Sequence, residues 1–131
     1  MNERITTCAI VIEDSKILVA KRCVGNTTNG KWEFVGGKNR YTESEAETLS
    51  RELDEELGIK CEVGRFLCSI DFVNNDILYH LKAYEVKLLE HSFSLSVHSE
   101  IKYVTKDELL SLDMVPSDFS LTKKLIEQGV F

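Results

Sequence analysis

The sequence predicts an α/β (α+β) fold, a mixed β-sheet flanked by helices, on three observations. Short β-branched and aromatic runs recur along the chain, separated by turn residues. Helical stretches stand among these runs rather than in a block of their own, and strands outnumber them. The chain has 131 residues, 43% apolar and 29% charged, with one proline and no repeat or low-complexity tract. That suits a single domain over residues 1–131.

The elements follow in order. Residues 5–12 and 16–22 are apolar and β-branched, and Glu13-Asp14-Ser15 between them reads as a turn, so a β-hairpin is predicted. Residues 24–31, with Gly25, Asn26, Asn29 and Gly30, form a loop before the short extended piece Trp32-Glu33-Phe34, which Gly36-Gly37 ends. A helix is expected over 44–57, opened by a capping box of Thr42 and Glu45 and closed by Gly58. Residues 60–73 and 77–88 read as strands joined by Asn74-Asn75-Asp76. Phe93, Leu95 and Val97 alternate with Ser94, Ser96 and His98, which predicts a half-buried strand, and 101–104 continues extended. Residues 106–112 and 117–128 are helical, the second with Phe119, Leu121, Leu125 and Ile126 as its apolar face.

Composition removes several function classes. No apolar run approaches the roughly 18 residues of a membrane span, and the N-terminus lacks a signal peptide's layout. Cys8, Cys23, Cys61 and Cys68 form no CxxC pair, so reduced thiols in a cytoplasmic protein are expected. The net charge of −6 argues against stable nucleic-acid binding, though not against a nucleotide whose charge is managed by a metal. That charge is local: residues 43–56 hold seven acids and one base, and the remainder balances to zero.

On the predicted helix, Ala46, Leu49, Leu53 and Leu57 share one face, and Glu52, Glu55 and Glu56 fill an adjacent arc. Like charges so spaced repel by about 0.2–0.5 kcal/mol per pair. The helix dipole also disfavours acids at a C-terminal end. A solvated acidic face is the plain alternative, but a divalent cation removes both penalties, and Mg²⁺ prefers such oxygen ligands. Gly36-Gly37 upstream lets the backbone come close to a metal or phosphate.

Residues 37–59 resemble the signature of the Nudix hydrolase family, G-x₅-E-x₇-R-E-U-x-E-E-x-G-U with U aliphatic. The matches are Gly37, Glu43, Arg51, Glu52, Leu53, Glu55, Glu56, Gly58 and Ile59. Lys21-Arg22, the following loop, residues 32–38 and the Asp118 helix extend the likeness to the MutT-like branch, nearest to bacterial CTP and oxidised-nucleotide pyrophosphohydrolases. The resemblance implies an α/β/α sandwich with the signature helix packed on a central mixed sheet. It implies a Mg²⁺-dependent (or Mn²⁺-dependent) enzyme that takes a nucleoside triphosphate to the monophosphate and pyrophosphate. Glu52, Glu55, Glu56 and the Gly36 carbonyl would hold metal, with Glu52 activating water and Arg51 and Glu43 bracing the set. Arg22 and Lys38 are the implied phosphate contacts, against surface cations as the plain reading. Phe34 and Trp32 are candidates for a base pocket, with Trp32 equally readable as core. Asp118 is placed to read the base edge or, alternatively, to cap its helix.

Relatives often carry a further acid just before the final strand; by spacing that position is Val97, with Glu100 a substitute nearby and His98 read as a surface histidine. Asn75 and Ile77 stand where ADP-ribose and diadenosine polyphosphate hydrolases carry proline and tyrosine, which turns the expectation away from those substrates. Another nucleoside-diphosphate-linked substrate, or a non-catalytic nucleotide-binding module, are the alternative functions. A homodimer is compatible with the resemblance, and no membrane partner is expected.

Overall fold

The computed structural model describes residues 1–23 and 30–131; Gly25, Asn26 and Asn29 of the predicted loop lie outside them. The elements are β1 (Asn2–Ile10), β2 (Ile12–Glu13), β3 (Lys16–Arg22), β4 (Trp32–Glu33), β5 (Gly36–Lys38), α1 (Glu45–Leu57), β6 (Cys61–Asn74), β7 (Ile77–Leu88), β8 (His98–Val104), α2 (Lys106–Ser111) and α3 (Pro116–Glu127). One sheet is mixed, in the order β5-β1-β7-β6, with β1 parallel to β7 and the other pairs antiparallel. In the second, β3 lies between β8 on one side and β2 and β4 on the other, all antiparallel.

The uninterrupted apolar runs of β1 and β3 have a cause: both their faces are buried. Cys8, Ile10, Ile17 and Val19 enter the core with Leu109 of α2 and Leu121 and Leu125 of α3. Their alternates Ala9, Val11, Leu18 and Ala20 enter the core with Leu49, Leu53 and Leu57 of α1. This is the expected sandwich, helices on both sides of β-structure. Each fully buried leucine of α1 contributes about 1.5–3 kcal/mol by leaving water.

Three local expectations need correction. The predicted hairpin exists only at its tip, where Ile12–Glu13 pairs with Lys16 and Ile17; β1 itself runs in the other sheet, beside β7. The capping box lies two residues later, with Ser44 and Glu47 exchanging bonds, while Gly58 closes α1 in the left-handed region at φ 66° as predicted. Residues 91–97 form no strand. Their donors are taken elsewhere: Ser94 N–H bonds the Leu57 carbonyl, Ser96 N–H the Glu56 carbonyl and Ser96 Oγ the Glu55 carbonyl. These are carbonyls at the end of a helix, which no helical donor serves.

The β6–β7 hairpin turns at Asn75-Asp76, both at positive φ as a two-residue hairpin turn requires. No helix among the described residues is long and apolar enough to cross a membrane, and all four cysteines are free thiols.

Candidate active site

Arg51, on α1, is the centre of a charge network. Its Nη2 and Nε donate to the two oxygens of Glu43 at 2.7 and 3.1 Å, and its Nη1 to Glu52 at 2.8 Å and Glu55 at 3.3 Å. Nη2 also reaches the Lys38 carbonyl at 3.2 Å, tying the helix to the end of β5. The guanidinium holds the Glu43 carboxyl down to about 2, helped by the Arg40 backbone N–H and the Thr48 hydroxyl. Such forked pairing fixes orientation as well as charge.

The two glycines of β5 act differently. A β-carbon on Gly36 would collide with the backbone of Thr7 and Cys8, so this glycine lets β5 lie against β1. A β-carbon on Gly37 would collide with the Glu52 carboxylate, so this one makes room for an acid.

Glu56 is buried, 8% exposed, and its Oε2 has no hydrogen-bond partner among the described residues. Burial first, then neighbouring Glu52, push its carboxyl well above the usual carboxylate range. Its Oε1 lies 3.9 Å from His98 Nε2, which is 2.8 Å from Glu33 Oε2. One oxygen on each of Glu33 and Glu56 and one nitrogen of His98 lie within 4.8 Å of one another. Arg22 Nη1 pairs with the same Glu33 oxygen at 2.9 Å. A buried carboxyl such as Glu56, with a second acid beside it, is relieved by a cation, and its unpaired oxygen is open to a divalent ion. The residues fit a divalent metal.

Arg22, Phe34, Gly36, Lys38 and Asp118 line one cleft of about 340 Å³, and Glu33 lies on its wall. The cleft also contains Phe72 and Tyr79, whose rings stack at 5.1 Å and 15°, with Lys38 Nζ 5.7 Å from the Tyr79 ring. Asp118 is buried; its Oδ2 accepts from the Phe34 N–H at 2.9 Å. Burial, then Glu33, raise its carboxyl to about 7. It does not cap α3: Val115 precedes the helix and Pro116 begins it.

The structure thus brings the signature glutamates together on α1 and the four predicted substrate residues together on the cleft. Trp32 is instead core, 8% exposed, with Lys21 and Lys102 over its ring, and does not line the cleft. Val97 is exposed, and His98, read from sequence as a surface residue, is 3% exposed. Glu33, Phe72 and Tyr79 were not singled out; the strict alternation Trp32-in, Glu33-out was the available signal for Glu33.

A glutamate helix braced by arginine, packed on a sheet beside a cleft with cationic walls, is the make-up of a hydrolase acting on acid anhydrides. The family is shown directly: a model described as the NUDIX domain matches residues 2–125, and the chain belongs to the Nudix family, whose members generally use a divalent metal. It is 34% identical over 113 residues to CTP pyrophosphohydrolase of Escherichia coli K12, covering 86% of this chain and 84% of that one. It is 35% identical over 122 residues to a Mycobacterium tuberculosis H37Rv protein provisionally named 8-oxo-dGTP diphosphatase 2, covering 90% and 84%. The crystal structure of a MutT protein from Methanosarcina mazei Go1 superimposes with a TM-score of 0.86 at 22% identity, over 98% of this chain and 96% of that one.

Proposed function

We propose that the chain is a divalent-metal-dependent pyrophosphohydrolase of nucleoside triphosphates, releasing a monophosphate and pyrophosphate, with CTP-like or oxidised and otherwise modified (d)NTPs as substrates. The observation that carries this reading is the shared cleft: two cations, aromatic rings and a buried carboxyl line one space, and Glu33 on its wall connects through His98 to Glu56. The names of the two curated relatives, one for a cytosine and one for an oxidised guanine nucleotide, support the same class.

In this reading Glu52, Glu55 and Glu56 hold Mg²⁺ or Mn²⁺ together with the Gly36 carbonyl. When bound, such an ion acidifies a water and screens phosphate charge. Glu52 orients the attacking water, and Arg51 and Glu43 keep the glutamates in place. Arg22 and Lys38 hold the phosphate chain. Phe34, a core residue 3% exposed, gives the base an apolar wall where it borders the cleft, and Asp118 accepts a hydrogen bond from an exocyclic amine such as cytosine N4.

The test is a panel of ordinary and damaged (d)NTPs with Mg²⁺, read by product identity and kcat/KM. Pyrophosphate and the monophosphate are expected; orthophosphate and the diphosphate would place the attack elsewhere. Turnover confined to a nucleotide sugar would move the substrate to another diphosphate class.

A further inference from the structure

We propose that His98 is a nitrogen ligand to one metal ion, sharing it with Glu33 and Glu56, and that this donor makes the site favour a transition ion such as Mn²⁺ or Co²⁺ over Mg²⁺. The inference rests on the metal-dependent reading above and adds to it two residues outside the signature helix.

The geometry carries it. Donors at about 2.0–2.2 Å from one cation stand roughly 3 Å apart when adjacent and about 4.2 Å apart when opposed. His98 Nε2 is 2.8 Å from Glu33 Oε2 and 3.9 Å from Glu56 Oε1, and all three atoms lie within 4.8 Å of one another. The imidazole is fully buried, and among the described residues neither its Nδ1 nor Glu56 Oε2 has a hydrogen-bond partner. Glu56 is buried and Glu33 half-buried, and a divalent ion between them lowers the cost of holding adjacent acids out of water. His98 is delivered by the first residue of β8, whose register opposite Arg22 of β3 brings it across from Glu33 on β4.

The competing arrangement is a plain hydrogen bond, with Nε2–H donating to Glu33 while Glu33 also accepts from Arg22. An ion there would displace that proton: the neutral ring would shift its single N–H from Nε2 to Nδ1, which has no acceptor among the described residues, and present the Nε2 lone pair to the metal. Imidazole nitrogen suits borderline transition ions, whereas Mg²⁺ is served by oxygen and water. The consequence is a metal preference that three glutamates alone would not produce.

The experiment loads the full chain with Mn²⁺ alone and records its electron spin-echo modulation and its dissociation constant. A directly bound ¹⁴N is expected in the unmodified protein. It should vanish in His98→Gln, which keeps a donor to Glu33, with Mn²⁺ affinity falling on the order of tenfold. Mg²⁺ competition should show the unmodified protein preferring Mn²⁺ and the variant losing that preference. Oxygen-only coordination in the unmodified protein overturns the proposal whatever the variant does, while leaving the signature glutamates as the metal site. Failure to bind Mn²⁺ at all overturns this proposal and the metal-dependent reading together.

Discussion

The carboxylate of Glu52 occupies the space where a side chain on Gly37 would begin. Gly36, one residue earlier, faces backbone instead, at Thr7 and Cys8. The two positions therefore separate fold from site. Gly36→Ala is expected to destabilise by about 1–3 kcal/mol or more, since strand backbone cannot step aside. Gly37→Ala should leave the melting temperature nearly unchanged, because a carboxylate can swing away, and yet lower kcat at least tenfold. Thermal melts beside turnover of the preferred substrate check both; equal stability losses would show that Glu52 is not what Gly37 accommodates.

Glu56→Gln removes a buried carboxyl that burial and Glu52 disfavour as an anion. In metal-free buffer at neutral pH the variant should be at least as stable as the parent. Metal-supported turnover should fall by about 10³ or more, the scale of losing a principal electrostatic contribution. Urea titration in chelator and a kcat measurement together decide; substantial turnover in the variant would remove Glu56 from the metal site.

Arg51→Lys keeps the charge and loses the fork that holds both oxygens of Glu43. Metal affinity should drop on the order of 10–100-fold through disordering of Glu52 and Glu55. Calorimetric titration with Mn²⁺ measures it, and an unchanged affinity would reduce the network to structural support.

Asp118 carries a pH dependence with a definite sign. Its folded value near 7 lies above its ordinary value of 3.8, so the folded state binds the extra proton between them. Its contribution to stability is full below about pH 4 and is lost as pH rises through 7, by at most about 1.4 kcal/mol per pH unit. Asp118→Asn retains an acceptor for the Phe34 N–H and should remove that slope. Urea-derived stabilities at pH 5, 6 and 7 in metal-free buffer give the comparison; identical slopes in parent and variant would contradict it.

Legibility from sequence followed the range of the cause. Arg51, Glu52, Glu55 and Glu56 were readable because one helix sets their spacing, and Gly58 because its backbone conformation is local. Phe93, Leu95 and Val97 misled because their alternation is the pattern of a strand, while Ser94 and Ser96 spend their backbone donors on α1. His98 stands on the polar side of the same alternation, which points it to solvent although it is buried. Its burial arises from pairing between β8 and β3, and its partner Glu33 is 65 residues away in the chain. Arg22, Lys38 and Asp118 were reached through resemblance, and only the folded chain brings them to one cleft.

The bond between the Phe34 N–H and Asp118 spans 84 residues. It joins the first third of the chain to its final helix at the wall where the base is proposed to rest. During synthesis, then, the signature helix can be complete long before that wall exists. On the proposed reading, the choice of a nucleotide therefore waits for the docking of α3.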